Sequence, residues 1–186
     1  MKKLFDSPVF ALLLAAAVMF GSMLLSTKVK FGKKSRAVTE SFYTQADGDS
    51  TAPVAAELRN LCVAAEQLAL TGQQTGAEDA DSTLKLVDEL RNLLYVQTDD
   101  LNAVYGVYQK LLTSTFSLER ELARTELSDT EAAAVSSAQH DAALAKANID
   151  SSSFNTAAAR FLKRYQKFPT VGLAGMVGVN MPCVFN

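Results

Sequence analysis

Few residues in this chain are of a type and spacing that could do chemistry, and each has a plainer reading. His140 is the one histidine in 186 residues. A general base or metal ligand needs partners within reach. Asp141 is adjacent, but neighbours on a helix point about 100° apart. His140 therefore reads as a core or boundary residue of a helix, one turn before Leu144. Asp79, Asp81, Asp88, Glu89, Asp99 and Asp100 form an acidic region. They lack the alternating oxygen donors and central glycine of a calcium loop, and read as solvated and helix-start charges. Ser151, Ser152 and Ser153 have no histidine companion and no glycine elbow. They read as a polar patch on a helix, with Ser151 facing inward. Cys62 and Cys183 form no metal or redox spacing; they read as two free structural thiols rather than a disulfide. No catalytic residue, cofactor site or metal site is assigned, and the chain reads as a non-enzyme. A net charge of −2 without overall basicity points away from nucleic acid. No small-molecule substrate is identified.

The elements that would position such residues begin with a membrane segment. Residues 8–25, PVFALLLAAAVMFGSMLL, carry no charge. As a helix they reach about 27 Å, close to one hydrocarbon core. Lys28, Lys30, Lys33, Lys34 and Arg36 follow at once, which suits an uncleaved anchor better than a cleaved signal. They outnumber Lys2 and Lys3, so positive charge inside puts the carboxy-terminal domain in the cytoplasm with the amino terminus outside; the alternative is an extracytoplasmic domain. The expected organisation is an anchor over 1–27, a basic juxtamembrane segment and linker over 28–50, and a helical bundle over 51–186.

Apolar spacing predicts the helices. The first opens near Pro53, carries Val54, Leu58, Leu61, Ala65 and Leu68, and ends near Gly72, where a left-handed cap suits glycine. The second is capped by Asp81 or Ser82 and carries Leu84, Val87, Leu90 and Leu94. Thr98, Asp99 and Asp100 open the third, whose face is Leu101, Val104, Tyr105, Tyr108, Leu111 and Leu112. The poor helix sequence TSTFS places a break between 113 and 128. Ser128 and Glu131 then form a capping box. From there a stripe runs through Ala133, Ser137, His140, Leu144, Ala147, Ser151, Phe154, Ala158, Phe161, Tyr165 and Phe168 in steps of three and four. It predicts one helix over 129–167, ended by Pro169. No strand signal appears. The predicted fold is all-α: an antiparallel three- or four-helix bundle with a long C-terminal helix, behind one transmembrane helix.

The carboxy-terminal tail admits three readings. Its glycines follow a helix and a proline, which is wrong for a phosphate loop. Residues 170–186 are too short and broken for a second span. Packing on the chain's own bundle is favoured over docking on the bilayer or a partner. Arg160, Lys163, Arg164 and Lys167 suit the negative end of the last helix.

The stretch 154–178 resembles the carboxy-terminal signature of the LemA family. The marks are Phe154 and Asn155, the aromatics Phe161 and Tyr165, the pair Phe168 and Pro169, then Leu173, Ala174, Gly175 and Gly178. The resemblance covers roughly the last quarter of the chain, and elsewhere it is architectural. It implies a membrane-anchored antiparallel helical bundle with no established catalysis. The expected function is a scaffold or adaptor acting through an unidentified membrane or membrane-associated protein, held in the lipid bilayer through residues 8–25. The alternative is an extracytoplasmic sensory or ligand-binding bundle with an apolar pocket between helices.

Overall fold

The computed structural model describes residues 8–45, 51–165, 178 and 180–185. Six helices make up the described chain: α1 (Pro8–Tyr43), α2 (Val54–Thr75), α3 (Ala80–Val96), α4 (Leu101–Leu122), α5 (Asp129–Asp150) and α6 (Ser153–Tyr165). The fold is an all-α bundle, and α1 is long and apolar enough to cross a membrane.

Helix α1 does not end after the apolar run. It continues through the basic cluster to Tyr43, which corrects the expected linker over this part of 28–50. Phe31, Ser35, Thr39 and Phe42 form its buried face, with Val38 half-buried. This stripe has the spacing of a helix, but Ser35 and Thr39 dilute it and five exposed cations mask it in the sequence.

Helix α2 is the hub. It packs against α3 on one side and α5 on the other, and also touches α1 and α4. Four-residue loops join α2 to α3 and α3 to α4, so successive helices run antiparallel. The expected stop at Gly72 is corrected: α2 continues to Thr75, and Gly76 at φ 79° makes the left-handed cap. Gly72 serves another purpose. A Cβ there would lie 2.8 Å from Leu118 Cδ1 and 3.2 Å from the Ala80 Cβ, so its absence lets α4 and the start of α3 close on α2.

Capping residues govern the later starts. Helix α3 begins after Asp79, slightly before the expected Asp81 or Ser82. Asp100 accepts hydrogen bonds from the Asn102 and Ala103 N–H groups at 3.1 and 3.3 Å. Helix α4 runs through 113–117, and the turn falls at 123–128. The capping box forms as expected: Ser128 N–H donates to Glu131 Oε2 at 2.8 Å, and Glu131 N–H donates to Ser128 Oγ at 3.4 Å.

The single helix over 129–167 is corrected. The chain breaks at Ser151 and Ser152 between α5 and α6. The buried face of α5 is Val135, Ala138, Ala142, Ala145 and Ile149, whereas Ala133, Ser137, His140, Leu144, Ala147 and Ser151 are exposed. Only beyond the break does the expected stripe meet the core, at Phe154, Ala158 and Phe161. The true stripes are five residues apart across the break, so phase is lost there. Small alanines let α5 lie close on α2, in the most extensive helix pairing of the bundle.

The principal core joins α2, α3, α4 and α5 to an aromatic knot of Phe42, Tyr108, Phe154 and Phe185. A second cluster holds Leu68, Ala80, Leu118, Leu122, Val135 and Ala138. Phe31 and Phe161 make a third, between α1 and α6.

Candidate functional site

Of the residues carrying the family resemblance, Phe154, Asn155, Phe161 and Tyr165 lie at a seam between α1, α6 and residues 180–185. Serine at the α5–α6 break starts that seam. Ser152 is buried, and its Oγ accepts from the Asn155 N–H at 3.3 Å, capping α6. Ser151, expected to face inward, is exposed and bonds back to the Ala147 carbonyl.

Asn155 is itself buried and fully engaged. Its Nδ2 donates to the Ile149 carbonyl at 2.8 Å and to the Phe185 carbonyl, and its Oδ1 accepts from the Phe185 N–H at 2.8 Å. One amide thus holds both backbone groups of Phe185. The Phe185 ring enters the knot, 5.1 Å from Phe42 and 5.7 Å from Tyr108 between centroids. Phe154 lies 5.2 Å from Phe42 at 72°.

The other end tie-points are equally specific. Ser35 Oγ donates to the Asn180 carbonyl at 2.6 Å, Asn102 Nδ2 to the Met181 carbonyl at 3.4 Å, and Cys183 Sγ to the Leu101 carbonyl at 3.2 Å. Residues 180–185 therefore pack on the bundle, joining α1, α4 and α6. Phe161 and Tyr165 each lie 5.2 Å from Phe31. Lys34 Nζ donates to Tyr165 Oη at 2.9 Å, and this bond pulls the phenol below its ordinary value. Gly178 sits at φ 66°, a conformation glycine adopts without strain. Phe168, Pro169, Leu173, Ala174 and Gly175 lie outside the described residues. From the sequence, Phe31 and Phe185 are missed, Phe42 is taken only as part of a Phe42-Tyr43 pair and Ser152 only as part of a polar patch; the period of Phe31, Ser35, Val38 and Phe42 signals the α1 residues, and no local pattern signals Phe185.

The candidates for chemistry stay apart. His140 is exposed on α5. Among the described residues, no group of three or more His, Cys, Asp and Glu is arranged to hold a metal. Asp81 accepts from Gln73 Nε2, and Asp100 caps α4. Arg160, Lys163 and Arg164 are exposed on α6, whose last turn carries the latter two; Lys167 lies outside the described residues. Both cysteines are free thiols. Burial pushes Cys62 up to about 12 and Cys183 up to about 11, so neither is a ready nucleophile at neutral pH.

The geometry defines a class: an all-α bundle in which residues 180–185 tie to α4, α6 and a helix long enough to span a membrane. No family model, curated protein or solved structure matches the chain.

Proposed function

We propose that this protein is a membrane-anchored helical platform that works by binding at the bilayer surface rather than by catalysis. One observation carries the reading. The helix that carries the apolar run continues without a break through the basic cluster to the stripe Phe31, Ser35, Thr39 and Phe42, which α6 and residues 180–185 grip. A helix inserted through residues 8–25 would thus hold the bundle at a set distance and orientation. Lys28, Lys30, Lys33, Lys34 and Arg36 would then meet anionic headgroups, each attracted by about 1 kcal/mol. They also favour a cytoplasmic bundle with the amino terminus outside. The buried positions of Phe154, Asn155 and Phe161 support the LemA-like reading, because those motif residues hold the bundle together.

A topology reporter fused after Asn186 tests the side, and flotation of membranes with the full chain tests the anchor. Reporter activity confined to the outside would overturn the cytoplasmic orientation. A chain that stays in the soluble fraction would overturn the anchor. Crosslinking in membranes should recover a discrete protein partner. The extracytoplasmic ligand-binding reading is favoured by one separate observation, a cleft between α4 and α5.

A further inference from the structure

Helices α4 and α5 both rest on α2 but do not close on each other. Near their connecting turn the gap is filled by Leu118 and Leu122 against Val135 and Ala138. At the far end Phe185 packs on Tyr108 of α4 and on Phe154 of α6. Between these plugs lies a cleft of about 560 Å³. Leu61 of α2 lines its base, Leu112 one wall, and Ala142 and Ala143 the other.

Among the described residues, two polar groups in this cleft lack partners. Thr115 is 4% exposed, yet its Oγ1 has no hydrogen-bond partner among the described residues. The buried Tyr108 Oη shares this state, but other helical threonines do not. Thr71, Thr83 and Thr113 all donate back to the carbonyl four residues earlier, at 3.1, 2.8 and 2.9 Å. A buried hydroxyl left unpaired is costly. Glu119 lies one turn beyond Thr115 and also lines the cleft. Burial pushes its carboxyl up from the ordinary glutamate value, and it makes no ion pair among the described residues. The nearby cations are occupied elsewhere. Lys146, the one cation among the lining residues, holds Asp150 at 2.6 Å. Arg120 stands over the Phe116 ring at 5.9 Å.

We propose that the cleft between α4 and α5 binds a small cationic amphiphile, its apolar body on Leu61, Leu112 and Ala142, its ammonium group on Glu119 and Thr115. Charge sets the sign of the head. An ammonium supplies the donors that Glu119 and Thr115 Oγ1 can accept, whereas a carboxylate would sit beside Glu119 with Lys146 already engaged. Size sets the class of ligand. The volume falls within the range of small-molecule sites, roughly 300–1,000 Å³. A partner helix would need anchors over several turns, and the α4 lining spans only Leu112 to Glu119. Phe116, 62% exposed at the rim, offers a further apolar face for the body. The inference does not depend on membrane anchoring.

The test uses the full chain in nanodiscs of zwitterionic lipid, with 2-(1-naphthyl)ethylammonium as the probe. The chain has no Trp, so naphthyl fluorescence is read without tryptophan background. Saturable binding above that of empty nanodiscs is expected, with 1-naphthylacetate at least tenfold weaker. Glu119→Gln should weaken the ammonium probe at least tenfold, and Ala143→Phe should block it by filling the cleft. Both positions are partly or fully solvent-facing, and cooperative melting of each variant verifies its fold. A signal no greater than that of empty nanodiscs overturns the proposal. So does equal or tighter binding of the carboxylate, or probe binding unchanged by either folded variant. Flotation of the same preparation reports separately on the anchor.

Discussion

Asn155 concentrates more structure than any other single side chain described here. It satisfies the Ile149 carbonyl and both backbone groups of Phe185. Asn155→Ala orphans both backbone groups of Phe185 in a buried place and leaves the Ile149 carbonyl only the Ser152 N–H, and should cost about 2–4 kcal/mol. Asn155→Asp should be no better, because a carboxylate supplies no donor for the two carbonyls. Denaturant midpoints of the two variants check this. Glu119 gives a pH signature. Burial raises its folded pKa, so the folded state holds the proton more tightly than the unfolded chain. Its effect is most favourable below the ordinary glutamate pKa of about 4.3 and is lost as pH rises through the raised folded value. Glu119→Gln should therefore raise the melting temperature at pH 7, with Lys146 the cation facing it across the cleft. Glu66 acts in the opposite sense. Its bond to Arg91 lowers its pKa, so that contribution holds above the ordinary value and fades as pH falls through the depressed one. Melting curves from pH 3 to 8 on Glu119→Gln and Glu66→Gln separate the two.

Helical glycines show how elements carry information that composition hides. Gly106 lies in the second turn of α4, and a Cβ there would meet nothing within 4 Å. Gly106→Ala should stabilise by about 0.5–1 kcal/mol. Gly72→Ala gains the same helix propensity but pushes on Leu118 and Ala80. Overpacking of about 1–3 kcal/mol should leave it neutral or destabilised. Equilibrium unfolding of both variants tests the contrast, since a sequence-level view treats the two glycines alike. The α5–α6 break teaches a related lesson. Alanine faces carry little hydrophobic contrast, so Ala138, Ala142 and Ala145 did not stand out against Ala133 and Ala147, and Leu144 drew the stripe to the exposed face. The three serines were the better signal. Ser152 is the cap that begins α6, and Ser152→Ala should cost about 1 kcal/mol.

For the whole molecule the chain end acts as a wedge. Phe185 fills space between α4 and α6 and sits on Phe42 of α1. Phe185→Ala should cost about 3–5 kcal/mol. Deleting 180–186 should do more, because it also removes the ties to Ser35, Leu101 and Asn155. Thermal melting and light scattering of the purified chain would show an early, aggregating transition. A deletion that melts like the intact protein would remove the wedge from this account.

Local chemistry was enough for much of the protein. An unbroken apolar run, the box of Ser128 and Glu131, the acid at Asp100 and the three- and four-residue spacing on α2, α3 and α4 are short-range signals. They define helices, their starts and an all-α class before any packing occurs. Tertiary structure decided the rest. It chose which face of α5 is core, since alanines fit either face and only close approach to α2 separates them. It carried α1 past its basic cluster, because Phe31 and Phe42 find their partners on α6 and at the chain end. It paired Asn155 with Phe185 across 30 residues, and left Thr115 and Glu119 in a cleft between helices that meet only near their connecting turn. Those outcomes depend on contacts between distant parts of the chain, and no local pattern specifies such contacts.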